Sequence, residues 1–147
     1  MRQYFDTSVI GTLVFRAGDW IALRQWLLQT GPSLIYSDFG IGELVSAVGR
    51  RVRMHQLGET EARKLLIDLP MLLHHWSCVA IDAADIALAT SYMAHFELGL
   101  RLPDAIHIAV AQRLGLTLVS TDIRQVRAAA TLGIAAINPL HTDGTHS

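Results

Sequence analysis

The sequence predicts an α/β fold: one domain in which a central parallel sheet lies between layers of helix. Three observations predict it. Short unbroken apolar runs alternate with longer segments of helical period along the chain. The apolar runs lack the polar alternation of a half-exposed strand, as expected of a parallel sheet covered on both faces. The length, 147 residues with 51% hydrophobic, suits one ordinary domain with a sizeable core.

Each element follows from local signals. Residues 2–5 read as a strand, followed by a helix from about Ser8. Residues 19–29 are helical, and Gly31-Pro32 stops them. Residues 33–37 form a strand, and 39–55 a helix despite Gly40, Gly42 and Gly49. Asp38 reads as the cap of that helix. Residues 59–76 are helical, with Pro70 expected to break or kink them. A strand at 77–81 precedes a helix at 82–98 opened by Asp82. Residues 102–115 are a helix with Pro103 near its first position and Gly115 past its end. Residues 116–120 are a strand, 122–133 a helix and 134–138 a final strand. The domain is expected to span 1–140, with 141–147 a loose polar tail.

Composition narrows the class. The apolar runs are too short to span a bilayer, and the opening MRQYFDTS lacks the apolar stretch of a signal peptide. The single cysteine, Cys78, cannot form an internal disulfide and reads as a core residue, which suits a reducing cytoplasm. A net charge of −1 gives no bulk attraction to nucleic acid. Lys64 is the only lysine; the arginine bias suits phosphate recognition but equally reflects genome composition.

Four carboxylates carry the chemistry. Asp6 and Asp122 stand just past apolar strands, where ligands gather in open α/β sheets. Asp104 lies in the first turn of its helix, and Glu43 stands inside another beside Ile41, Leu44 and Val45. Singly, each acid has an ordinary explanation as a helix cap, a partner of the helix dipole or an exposed side chain. Together they are expected to converge on one cleft. Gathered carboxylates repel unless cations neutralise them, which raises some of their pKa values in the metal-free fold. Magnesium or manganese takes such oxygen ligands and can activate a water for attack on a phosphodiester. The hydroxyls of Thr7, Ser8, Ser120 and Thr121 are placed to orient the ligands.

The sequence resembles the PIN-domain ribonucleases and, among them, the VapC-type toxins of toxin–antitoxin pairs. "YFDTSVI" matches the opening motif with Asp6, "SDFGIGELVSAVGRR" the second with Glu43, "LRLPDAIHIAVAQRLG" the third with Asp104, and "LTLVSTDIRQVRAAATLGI" the fourth with Asp122. The resemblance runs from Tyr4 to about Pro139. It implies a PIN-like α/β/α domain and magnesium- or manganese-dependent cleavage of RNA. Asp6, Glu43, Asp104 and Asp122 then serve as metal ligands and catalytic carboxylates, with Thr7 and Ser120 behind them. Ser120 stands where the family often has threonine, which keeps the hydroxyl. Implied partners are an RNA substrate, a cognate antitoxin and a second copy in a homodimer.

His107 follows Asp104 by three residues, a spacing that suits a metal pair; its apolar helix favours a packed, hydrogen-bonded histidine. His74 and His75 are adjacent, point different ways on a helix and suggest no zinc site. Arg50, Arg51 and Arg53 form the densest basic patch; Arg50 shares a helix face with Glu43 and is a candidate phosphate contact, as is Arg124. The same holds for Arg127. The apolar helix around Trp20 and Trp26, and "LLIDLPMLLHHW", supply core and offer a patch for a partner. A non-catalytic module binding RNA or protein is the alternative to the enzyme. A phosphotransfer domain with Asp6 as acceptor would need a matching lysine, and Lys64 lies in an unrelated helix.

Overall fold

In a computed structural model that describes residues 2–31 and 33–141, five parallel strands form a sheet of order β3-β2-β1-β4-β5. The strands are β1 (Arg2–Phe5), β2 (Ser33–Ser37), β3 (Ser77–Val79), β4 (Thr117–Val119) and β5 (Ala136–Ile137). Helices α1 (Thr7–Phe15), α2 (Trp20–Thr30), α3 (Asp38–Arg53), α4 (Glu59–Leu72), α5 (Ala83–Met93), α6 (Leu102–Leu114) and α7 (Ile123–Thr131) connect them. The helix expected over 82–98 stops at Met93, and a separate 3-10 turn spans Phe96–Leu98. All of the expected tail but His141 lies outside the described residues. Among the described residues, no helix is long and apolar enough to cross a membrane.

Adjacent residues of a strand serve opposite faces. Tyr4 and Leu118, paired across β1 and β4, join α5, α6 and α7 in one core cluster; their neighbours Phe5 and Val119 pack with Val9 and Leu23 on the other face. Leu44 of α3 and Leu69 of α4 close a third cluster around Ile10. α6 is buried along Ala105–Ala111, so it reads apolar on nearly every side.

Three expectations need correction. Cys78 is exposed. β3 pairs only with β2 and forms the edge of the sheet, so an apolar strand there is left partly uncovered. Ser37, not Asp38, caps α3: its hydroxyl accepts from the Gly40 N–H at 3.0 Å, while Asp38 Oδ1 accepts from Phe39 and Ile81 N–H groups. Pro70 does not break α4, which runs on to Leu72. Standing in the last turn, Pro70 withdraws only the N–H that would bond the Leu66 carbonyl, and the ladder continues with the Leu73 N–H on the Leu69 carbonyl at 3.0 Å.

The order of strands creates the site. From β1 the chain winds outward through β2 and β3, then returns to β4 on β1's other side. The crevice past the carboxyl ends of β1 and β4 is therefore the topological switch point.

Candidate active site

Asp6 follows β1 directly and is 4% exposed. It is the N-cap of α1. Oδ1 accepts from the Ser8 N–H at 3.1 Å and the Ser8 hydroxyl at 2.5 Å; Oδ2 takes the Ser120 hydroxyl at 2.8 Å. Burial pushes its pKa above the ordinary carboxylate value, against the pull of His107's charge and of the two serine hydrogen bonds.

Ser120 joins this carboxylate to the next. Its oxygen accepts from the Asp122 N–H at 3.0 Å, and it lies 2.8 Å from Gln125 Oε1. Asp122 caps α7, Oδ1 accepting from the N–H groups of Arg124 (2.9 Å) and Gln125 (3.3 Å). Gln125 is 2% exposed, and its Nε2 donates to the Asp104 carbonyl at 3.2 Å. That bond ties the start of α7 to the first turn of α6. Asp104 Oδ2 accepts from the Arg101 N–H at 3.4 Å. Burial raises the Asp104 pKa; the Arg101 hydrogen bond lowers it, and the charge of Asp122 raises it further. Expected repulsion among the acids is present here, but it ranks behind desolvation.

Glu43 enters from α3. Its Oε1 accepts from the Thr7 hydroxyl at 2.6 Å and from His107 Nε2 at 2.5 Å. Burial would raise its pKa, yet the hydrogen bond and charge of His107, with the Thr7 hydroxyl, hold it below the ordinary value. Thr7 is the neighbour of Asp6, so the end of β1 touches both acids through one peptide unit. His107 is 3% exposed and hydrogen-bonded, as its place in an apolar helix suggests.

Hydrogen bonds thus link the segments that carry the four acids, and charge reaches between them: that of His107 acts on Asp6, Glu43 and Asp104, and that of Asp122 on Asp104. Thr7, Ser8 and Ser120 spend their hydroxyls on them; Thr121 contributes its N–H, which donates to Ser8 Oγ at 3.0 Å. Among the described residues, Glu43 Oε2, Asp104 Oδ1 and Asp122 Oδ2 accept no hydrogen bond. Equally, no three His, Cys, Asp or Glu side chains among the described residues are drawn into a ready metal cage. The donor set fits a hard divalent ion that keeps several waters and needs few direct protein ligands.

The arginines divide. Arg124 is exposed and donates to the Gly99 carbonyl at 3.2 Å. Arg50 is exposed, with its Nε 3.4 Å from Met54 sulfur. Arg51 lies over the Phe15 ring at 3.9 Å, which uses its guanidinium to join α3 to α1. Sequence reasoning missed Tyr4, Ser37 and Gln125. Gln125 carried a signal: it is a polar residue three after Asp122 on the face that α7 buries.

A PIN domain family model matches residues 4–131. A curated relative, Ribonuclease VapC46 of Mycobacterium tuberculosis (strain ATCC 25618 / H37Rv), is 36% identical over 142 residues, 92% of this chain and 96% of that protein. Among solved structures, FitAcB from Neisseria gonorrhoeae superposes with a TM-score of 0.70 at 19% identity, covering 95% of this chain and 99% of that one. Mycobacterium tuberculosis VapC20, a sarcin-ricin loop cleaving toxin, gives 0.67 at 18%, covering 90% and 95%. These two likenesses concern the fold. By the extent of the family match and of the curated relative, the chain belongs to the PIN domain family.

Proposed function

We propose that the protein is a divalent-metal-dependent endoribonuclease, the toxin of a toxin–antitoxin pair. The observation that supports this reading is the hydrogen-bonded network past the ends of β1 and β4 that joins the segments bearing four acids, three of which keep an oxygen that accepts no hydrogen bond among the described residues. The similarity to a curated VapC ribonuclease supports it. Capping alone accounts for Asp6 and Asp122, but not for Glu43, which stands mid-helix and is held ionised.

Asp6, Glu43, Asp104 and Asp122 would hold magnesium or manganese. Such an ion supplies an activated water and relieves the charge that develops on the phosphate. The chain's own work is positional. Ser8 and Ser120 fix both oxygens of Asp6, and Thr7 fixes one oxygen of Glu43. Arg50 and Arg124 would contact RNA phosphates beside the acids. A cytoplasmic site of action fits an RNA substrate. An apolar groove of about 400 Å³, lined by Leu13, Trp20, Leu27, Leu28, Leu34 and Trp76, suits the antitoxin, and a homodimer fits the remaining exposed apolar helix surface.

The test compares wild type and Asp6→Asn on structured RNAs, transfer RNAs included, with and without chelator. Cleavage by the wild type that both chelator and Asp6→Asn abolish is expected. Cleavage that survives both would reject the mechanism. RNA binding without any cleavage in magnesium or manganese, in a protein harmless to cells, would establish the non-catalytic module instead.

A further inference from the structure

A buried chain of polar groups ends on Glu43. Ser37 Oγ lies 2.8 Å from Tyr4 Oη, Tyr4 Oη 2.7 Å from His107 Nδ1, and His107 Nε2 2.5 Å from Glu43 Oε1. Tyr4 and Ser37 are fully buried. The links span 33, 103 and 64 residues of sequence, so they exist only in the folded chain. Ionised Glu43 has only lone pairs to offer, so the proton in that bond sits on Nε2. The same Nε2 lies 3.2 Å from Thr7 Oγ1, which itself donates to Glu43 Oε1. The ring is wedged between Tyr4 and Phe39, with centroids 5.7 and 5.5 Å away. Gly40 keeps the space open: a Cβ there would stand 3.3 Å from Thr7 Oγ1 and 3.6 Å from His107 Cε1.

We propose that His107 is a positioning residue for Glu43: held by Tyr4 and Ser37, it pins Oε1 and so presents Oε2 to the divalent ion. This rests on the metal-dependent reading above. Outer partners of this kind typically change metal affinity or activity by 10–100-fold. His107 thus belongs to the site without touching metal or RNA.

The experiment titrates manganous ion into the metal-free protein by calorimetry, beside steady-state cleavage. His107→Leu keeps an apolar filling and removes the donor. It is expected to bind manganese about 10–100-fold more weakly and to lower kcat, with KM for RNA unchanged. His107→Gln carries an amide donor and is expected to restore most of the affinity. Tyr4→Phe, which frees Nδ1, is expected to weaken binding several-fold. A folded His107→Leu with wild-type manganese affinity overturns the proposal. If His107→Leu does not fold, wild-type affinity in Tyr4→Phe overturns it equally. Loss in His107→Leu without recovery in His107→Gln, with KM rising as kcat falls, also overturns it, since that marks general damage. A wild type that binds no manganese overturns the metal reading and this proposal with it, whereas equal binding by wild type and His107→Leu overturns this proposal alone.

Discussion

Individual carboxylates respond to pH in opposite senses. The Asp104 pKa is raised in the fold, so the folded chain holds that proton more tightly than the unfolded chain. Its stabilising contribution is complete below the unfolded pKa and is lost as pH rises through the folded value. Asp6 has the same sign. Glu43 is lowered, so its contribution is present above the unfolded pKa and is lost as pH falls through the folded one. Asp104→Asn is therefore expected to raise the metal-free Tm at pH 7 relative to wild type, with a smaller gain at pH 4. It is also expected to shrink the Tm rise caused by magnesium. Thermal melts across that pH range, with and without the ion, check both. At Cys78 the expected outcome is stoichiometric reaction with a thiol reagent in the native protein; a need for denaturant would contradict its exposed place on β3.

Element ends carry two duties at this site. Asp122 uses Oδ1 to cap α7, and its other oxygen faces no protein donor among the described residues. Asp122→Asn keeps an oxygen for the cap; Asp122→Ala does not. Both are expected to lose cleavage, but only Asp122→Ala is expected to lose about 1 kcal/mol of stability, readable by chemical denaturation. Equal stability of the two variants would remove the capping role. At the other end of α6 from Asp104, α5 and α6 are joined by Arg113, whose Nε and Nη2 donate to Asp85 at 2.7 and 3.0 Å. Asp85 is fully buried and also accepts from the Asp82 N–H at 2.8 Å in the capping box of α5. Arg113→Ala strands that carboxylate. A loss of about 3 kcal/mol is expected, the low end for a broken buried pair because Arg113 is a third exposed. Because α6 carries Asp104 and His107, the same variant is expected to weaken magnesium binding.

At the scale of the molecule, an ion bound by the fold and not by the unfolded chain stabilises by mass action, about 2.7 kcal/mol at one hundred times its Kd. Wild type is expected to show a concentration-dependent Tm rise in magnesium and Asp6→Asn none. Most of the fold was legible because its signals are local: an apolar run read as β1 or β2, a glycine in the left-handed region closed α6, and Asp82 opened α5. Asp6 and Asp122 were legible for the same reason, an acid that ends a strand and begins a helix. Exposure of Cys78 was not, because an apolar strand looks the same at the edge of a sheet as at its centre, and only the order β3-β2-β1-β4-β5 sets which it is. Nor was the chain from Ser37 through Tyr4 and His107 to Glu43, whose members are joined by no spacing or period. The sequence by itself determined which segments are strands and helices and which carboxylates stand at their ends, since propensity, capping and periodicity act over a few residues. Only the tertiary structure decided that Ser120 joins Asp6 to the start of α7, and that His107 meets Glu43 of a different helix. Bringing β4 beside β1, and α6 beside α3, depends on which apolar faces find each other across a hundred residues of chain.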